Sequence, residues 1–295
     1  MYSSTQLSRI ASHLRGVFTA NFATMAHLNA GHIAIILIVG FVAGILGGLL
    51  GIGGSVIMIP SLSILMQGNE HVDQHLIQAS AMVVNVAVAI PSAMRHYKAG
   101  AVRMEVVRWM LPIGLLAILL GVLLSDQFSA SVLKQIFAVF LFYVTGINAW
   151  KLLRKSDSKP VEKRAQEKTN RFGIVIVGTI MGGSAGLLGI GGGVITVPAM
   201  QLILKMPLRN CIATTATVMC VTAPIGAAMK LVNLSSVHHR SPGLALFIAV
   251  LLIPTAIFGA RLGARLTHTL PLVLVRLVFT ILLLVAALRM SGLLG

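Results

Sequence analysis

The sequence predicts an all-α integral membrane protein with about eight transmembrane helices, arranged as two tandem four-helix repeats. Of its 295 residues, 57% are hydrophobic and only 10% are charged, whereas soluble domains carry about a quarter of their residues as charges. Several apolar stretches reach the roughly 20 residues that a membrane-spanning helix needs. The motif GLLGIGGSVIMIP at 48–60 recurs as GLLGIGGGVITVP at 186–198, which indicates an internal duplication.

The hydropathy pattern places the helices and divides the chain. Spans are predicted at 33–50, 76–97, 106–124, 131–151, 172–189, 209–231, 242–263 and 270–291. They define an N-terminal segment (1–30), a first repeat (31–152), a polar linker (153–170) and a second repeat (171–295). The N-terminal segment has an apolar helical face beside basic residues, which is typical of a helix in the membrane interface. Its acid-free, Ser- and Arg-containing composition is also that of an organelle transit peptide.

The basic residues are interpreted as topology signals. The net charge of +16 would suggest nucleic acid for a soluble protein, but Lys and Arg fall mostly between apolar runs or at their ends. The linker and the loop from Arg95 to Arg108 are basic, whereas 67–75 and 125–130 contain no Lys or Arg. This alternation predicts a cytoplasmic linker and cytoplasmic termini. Lys205, Arg209, Arg261 and Arg265 do not fit it, because they would lie on the outer side or within the membrane.

The number of crossings decides how the repeats are oriented. Four spans in each repeat would give both copies the same orientation, whereas five crossing segments would invert one copy relative to the other. The sequence leaves both arrangements open.

Each repeat contains a glycine run that is predicted to break a helix. The segment that follows, starting at Ser55 or Val194, has only some ten apolar residues and is too short to cross. Pro60 and Pro198 should end or kink it. The sequence therefore predicts a broken or re-entrant helix in each half, and two such breaks facing each other would offer backbone N–H groups to an anion. The alternative is that these glycines only allow close helix packing. The predicted binding residues of the breaks are Gly51, Gly53, Gly54, Ser55, Gly189, Gly191, Gly192 and Gly193.

The charged residues also favour an anionic ligand. All seven Asp and Glu residues lie outside the predicted spans, so no carboxylate is expected at a buried cation site or proton relay. Lys134 and Arg276 occupy equivalent helices, and Arg261 and Arg265 share a helical face; these cations either bind substrate or extend to the interface. Polar residues predicted to line the path are Ser80, Asn85, Thr214 and Thr215.

No catalytic, cofactor or metal pattern is found. The stretch 182–186 matches G-x-S-x-G but lies in an apolar helix, without the preceding strand that a hydrolase needs. Cys211 and Cys220, nine residues apart on one helix, suit neither a disulfide nor a metal site. We therefore expect no enzyme activity and no cofactor.

The doubled glycine motif, the stretch RHYKAG at 95–100 and the 4+4 layout resemble the TauE/SafE family of membrane transporters, over roughly residues 33–291. The resemblance implies an eight-helix permease of the bacterial inner membrane, with sulfite, sulfonates or sulfoacetate as substrates of several members. The family's glycine motif corresponds to Gly51, Gly53, Gly54, Gly189 and Gly191 to Gly193.

The hypothesis from the sequence is a secondary transporter that moves a small, sulfur-containing or other organic anion by alternating access. Its expected partners are this anion and membrane lipid, and not nucleic acid. An anion channel and a membrane-embedded enzyme are the alternatives; the missing catalytic constellation argues against the enzyme.

Overall fold

The computed structural model describes residues 30–50, 53–68, 72–153, 170–266 and 272–293. Within these ranges the chain forms ten α-helices and no strand. The predicted interfacial helix in 1–30 and nearly all of the linker lie outside the described residues. The helices are α1 (Ala30–Leu50), α2 (Ser55–Leu65), α3 (Gln74–Lys98), α4 (Met104–Asp126), α5 (Ala130–Leu153), α6 (Arg171–Leu188), α7 (Gly193–Ile203), α8 (Leu208–Ser236), α9 (Pro242–Leu266) and α10 (Leu272–Met290).

Seven of the described helices, α1, α3, α4, α5, α6, α8 and α9, are long and apolar enough to cross a membrane. Each predicted span coincides with a long helix to within five residues at either end. The all-α membrane fold is therefore confirmed.

Besides α10, which has 19 residues, the two remaining helices are α2 and α7, the short segments that follow the glycine runs. Each has 11 residues, a length of about 16 Å at 1.5 Å per residue, or roughly half of a bilayer's hydrocarbon core. Pro60 and Pro198 do not end these helices, because each helix continues for five more residues. A proline inside a helix removes one backbone hydrogen bond, and here the turns that follow still form.

Small residues bring the two halves into close contact. A Cβ added to Gly44 would overlap the backbone of Ala256, and one added to Gly182 would overlap the backbone of Gly114. These glycines belong to four-residue series, Gly40, Gly44 and Gly48 on α1 and Gly178, Gly182 and Gly186 on α6. Small residues at this spacing let membrane helices approach closely. The first helix of each half thus packs along the fourth helix of the other half.

The third helices of the two halves, α3 and α8, run antiparallel. Lys230, near the end of α8, hydrogen-bonds Gln78 near the start of α3. At the other end, Asn210 of α8 donates to the carbonyl of Ala101, just beyond α3. The halves therefore have opposite orientations, as expected when each half contains five segments rather than four.

This orientation sorts the charges onto two faces. We call the face with the α3–α4 connection (99–103) the basic face, and the face with the α4–α5 connection (127–129), where His75 and His238 lie, the histidine face. The α7–α8 connection, with Lys205 and Arg209, lies beside Ala101 on the basic face. The structure thus places Lys205 and Arg209 on the same face as the basic α3–α4 connection, because the α6–α7 hairpin returns the chain to the face from which it entered.

The first span, α1, begins at the histidine face. Arg240, just before α9, donates to Asp73 at the start of α3 at 3.1 Å, so α9 begins at the histidine face. Because α1 runs parallel to α9, Ala30 also lies at the histidine face, whereas α5 crosses to end at the basic face. The expectation that the first span starts on the same face as the linker is therefore wrong; residues 1–29 themselves lie outside the described residues.

Candidate functional site

The two glycine runs form sharp breaks that only glycine accommodates without strain. Gly53 has φ +74°, and in the second half Gly189, Gly191 and Gly192 have φ +70°, +70° and +77°. A positive φ brings the Cβ of other residues too close to the backbone. The helices α2 and α7 begin directly after these breaks, and neither start has a side-chain cap. Uncapped helix starts leave backbone N–H groups free for an anionic partner.

The breaks meet at the carboxamide of Asn85, in the middle of α3. A Cβ added to Gly53 would lie 2.7 Å from Asn85 Oδ1, and one added to Gly191 would lie 2.9 Å from Asn85 Nδ2. Asn85 is fully buried, and in the described part of the chain neither of its amide atoms has a hydrogen-bond partner. A buried polar group without a partner costs about 1–3 kcal/mol. We call the point where Gly53, Asn85 and Gly191 meet the central chamber.

Met219 of α8 lies on the opposite wall of this chamber. Its Cε would be 3.0 Å from a Cβ on Gly53 and 2.6 Å from a Cβ on Gly191. Asn85 of α3 thus provides the polar wall, and Met219 of α8 provides the apolar wall. The flexible thioether side chain of Met219 can adapt its shape to different ligands.

The other predicted polar residues are buried close by, but their hydroxyl groups hold helices together. Ser55 Oγ donates to the carbonyl of Ala81 at 3.1 Å, and Ser80 Oγ donates within its own helix to Leu76. Thr214 Oγ1 accepts from the backbone N–H of Arg103, and Thr215 Oγ1 contacts Met200 Sδ. These contacts fix α2, α3, α7 and α8 around the chamber. Gly54 and Gly193 lie at the starts of α2 and α7, and Gly51 falls outside the described residues.

Two of the predicted cations border a large cavity at the basic face. Its volume is about 1320 Å³, and Arg261 and Arg265 line it together with Arg95 and Lys98. The rest of its described lining is mainly apolar and comes from α3, α8 and α9. The cavity extends along α3, α8 and α9 past the level of Asn85 to Val83 and Leu231, but Asn85 is not among its lining residues and is fully buried.

The remaining two predicted cations are not seen at the chamber. Lys134 lies half-buried on α5. Arg276 lies within α10, and its side chain is outside the described part of the structure.

A buried lysine that the sequence reading did not single out lies on the other side of the chamber. Lys230 is 4% exposed, and it is the only buried Lys or Arg in the described residues. Its Nζ donates to Gln78 Oε1 at 2.8 Å and to Ser125 Oγ at 2.9 Å. Gln78 packs against Gly189, since a Cβ there would lie 2.8 Å from the Gln78 Cβ. The sequence does contain a signal for Lys230, because it is the only charged residue between Cys211 and Ser236, within a predicted span.

Beyond Lys230, a polar network closes the histidine face. Asp126 Oδ1 accepts a hydrogen bond of 2.9 Å from His238 Nε2, and Asp126 Oδ2 accepts one from Asn233. The side chain of Asp126 is only 8% exposed. Asp126 lies beyond the predicted span 106–124, but α4 continues to residue 126 and brings this carboxylate into the network.

The G-x-S-x-G stretch has a packing role. Gly182 and Gly186 face the backbone of α4, and Ser184 Oγ donates to the carbonyl of Ile180 inside α6. Gly182 and Gly186 therefore serve close helix packing. The glycines of the breaks differ, because they adopt positive φ angles that close packing alone does not require.

Seven candidate spans in the described residues and two opposed hairpins, whose breaks both lie beside Asn85, define the chain as a multi-pass membrane protein. It matches the family described as "Sulfite exporter TauE/SafE" over residues 36–290 and belongs to that family.

Relatives at low identity carry transporter names. A probable membrane transporter protein of Haemophilus influenzae is 27% identical over 88% of this chain and 97% of its own length. The probable membrane transporter protein YunE of Bacillus subtilis is 24% identical over 79% of this chain and 88% of its own. The probable membrane transporter protein MamO of Magnetospirillum gryphiswaldense is 24% identical over 88% of this chain. The chain spans only 44% of that relative's length. No solved structure matches the chain significantly.

Proposed function

We propose that this protein is a secondary transporter of small anions, with sulfite, a sulfonate or a related sulfur-containing or organic anion as substrate, and that it is not an enzyme. The observation that carries the proposal is the buried, unpartnered carboxamide of Asn85 between Gly53 and Gly191. An oxyanion in the chamber would accept hydrogen bonds from Asn85 Nδ2 and from the N–H groups at the starts of α2 and α7. Such a ligand removes the cost of the unmade hydrogen bonds.

The charges around the chamber support an anion rather than a cation. Four basic residues line the cavity on one side, without a carboxylate among its described lining residues. Lys230 lies on the other side and contacts, through Gln78, the second break. A cavity lined by one sign of charge raises the local concentration of the opposite ion.

The closed state of the chamber supports a carrier. Asn85 is fully buried, and it is not among the lining residues of the cavity. The two halves are proposed to be inverted copies of one unit, whose rocking would open the chamber to each face in turn. With the positive-inside rule, the basic face is cytoplasmic; the membrane is proposed to be the bacterial inner membrane.

Reconstitution into liposomes tests this function. Uptake of labelled sulfite, sulfate, taurine and sulfoacetate is compared between the wild type, Asn85→Leu and the control Asn148→Leu, whose amide only bonds Val144 within α5. We expect saturable uptake of at least one anion, reduced at least tenfold by Asn85→Leu and retained by the control. Absence of uptake for all four compounds, or equal uptake by Asn85→Leu, would contradict the proposal.

A further inference from the structure

The histidine face holds a titratable cluster that the transport of an anion alone does not require. The rings of His75 and His238 are stacked with centroids 3.7 Å apart. His238 is bonded to Asp126 at 2.9 Å, and Arg240 to Asp73 at 3.1 Å. Lys230 lies beside this cluster, because its Nζ donates to Ser125, the residue before Asp126. These six residues are the charged and titratable groups of α3, α4, α8 and the segment after α8 that face one another here.

The hydrogen bonds determine which nitrogen of His75 can accept a proton. His75 Nε2 lies 3.1 Å from the carbonyl oxygen of Phe128. A carbonyl only accepts, so Nε2 carries the hydrogen, and Nδ1 is the basic nitrogen of the neutral ring. Nδ1 is buried and has no hydrogen-bond partner in the described residues. A proton entering this cluster therefore has a vacant acceptor at Nδ1.

The charge balance of the cluster couples this proton to an anion. With neutral histidines, Lys230 and Arg240 balance Asp73 and Asp126. A proton on His75 leaves one uncompensated positive charge in a largely buried network, which is costly unless an anion arrives. Gln78 provides the connection: it binds Lys230, packs against Gly189, and precedes Asn85 by seven residues, about two helical turns on the same face of α3.

We propose that His75, with His238 and Asp126, is the proton-binding site that couples anion transport to the proton gradient, so that one proton moves together with each anion. This inference depends on the proposed function. An anion in the chamber favours protonation of His75 Nδ1, and by reciprocity a protonated His75 increases the affinity for the anion. Anion affinity therefore rises as the pH falls through the range in which His75 titrates. Both partners cross when the chamber opens to the other face, and the proton leaves with the anion.

Metal binding is the competing explanation for this cluster. Ligand atoms of His75, Asp126 and His238 lie within 4.8 Å of one another. In the described residues, however, His75 Nε2, His238 Nε2 and both Asp126 oxygens already take part in hydrogen bonds. The geometry thus favours a proton over a metal ion.

Two assays on the same proteoliposomes separate this inference from the proposed function. Counterflow of labelled sulfate or sulfoacetate at equal pH on both sides needs no net proton movement and reports anion transport. Net uptake driven by a pH gradient, with a pH-sensitive dye inside, reports coupling. The variants are His75→Gln and, at the less buried ring, His238→Gln; the control is His239→Gln, whose side chain is exposed.

We expect wild type and His239→Gln to show counterflow and about tenfold greater uptake with the gradient. His75→Gln and His238→Gln should keep counterflow and lose the gradient-driven uptake and the dye signal. Counterflow in the wild type without any effect of the gradient would overturn the proton site while leaving the anion transporter intact. Full coupling in either variant that retains counterflow, or coupling abolished by a chelator, would overturn it as well. Absence of counterflow in the wild type would instead refute the proposed function.

Discussion

Asn85 and Met219 are each the twelfth residue of their helix, α3 and α8, and both side chains reach the same two glycine breaks. Because the helices run antiparallel, the pair joins the two halves at the centre of the protein. One position supplies a carboxamide and the other a thioether, so the chamber is polar on one wall and apolar on the other. A tetrahedral oxyanion with an apolar substituent matches this division.

The breaks should not tolerate a side chain. We expect Gly53→Ala and Gly191→Ala to reduce anion uptake at least tenfold, because a Cβ at either position meets Asn85 or Met219 and because a positive φ costs a non-glycine residue about 1–2 kcal/mol. Uptake in proteoliposomes and thermal unfolding in detergent measure the two effects. Gly146→Ala is the control, since a Cβ there has nothing within 4 Å. Wild-type uptake by both break variants would contradict the chamber.

Lys230 should matter for anion transport as well as for stability. Lys230→Met leaves the buried Gln78 Oε1 and Ser125 Oγ without this hydrogen-bond donor, which costs about 1–3 kcal/mol for each group, so the variant is expected to unfold below the wild-type temperature. Its apparent anion affinity should fall about tenfold, because the positive charge beside Gln78 is lost. Arg289→Met removes an exposed charge at the end of α10 and should change neither quantity. A variant with unchanged affinity but reduced stability would limit Lys230 to a structural role.

The basic cavity should control how fast anions enter from its face. In a double variant, Arg261→Gln with Arg265→Gln, we expect uptake at low anion concentration to fall several-fold and to become less sensitive to ionic strength, because electrostatic attraction is screened by salt. Uptake at saturating anion should change little. Arg108→Gln, an exposed residue of α4 that is not among the cavity's lining residues, is the control. Equal salt dependence in all three proteins would contradict this role.

The orientation of the two halves can be tested by chemical labelling. In a variant with Cys211 and Cys220 replaced by alanine, single cysteines are placed at Gly31 and Asn170, the starts of the first helices of the two halves. A membrane-impermeant thiol reagent should label them from opposite sides of the membrane. Ala99→Cys should be labelled from the same side as Asn170→Cys, since both lie at the basic face. Labelling of Gly31→Cys and Asn170→Cys from one side would refute the inverted arrangement.

Sequence patterns were sufficient to predict the helices and the breaks, because both depend on local features: the length of an apolar run and the presence of a glycine run. The break at Gly189–Gly193 and the short helices were predictable in this way. The orientation was not, because the count of crossings depends on whether an 11-residue helix is included. Asn85 was predicted among the polar residues of its helix, but only the folded chain shows that both breaks converge on it.

Contacts between distant parts of the chain explain what the sequence reading missed. Lys230 meets Gln78 across 152 positions and Ser125 across 105 positions. Nothing local in the sequence marks such pairs. Arg261 and Arg265 lie at the cavity rather than at the breaks, because α9 ends at the basic face.

The unequal faces of this protein have a thermodynamic consequence. A ring of arginine and lysine side chains on one face, and a nearly balanced network on the other, make the two entrances differ in affinity for the same anion. A carrier with unequal entrances still reaches the same final concentration ratio, since that ratio depends only on the ions moved in each cycle and the gradients that drive them. The asymmetry therefore determines the rate in each direction, and the stoichiometry at His75 determines how far accumulation proceeds.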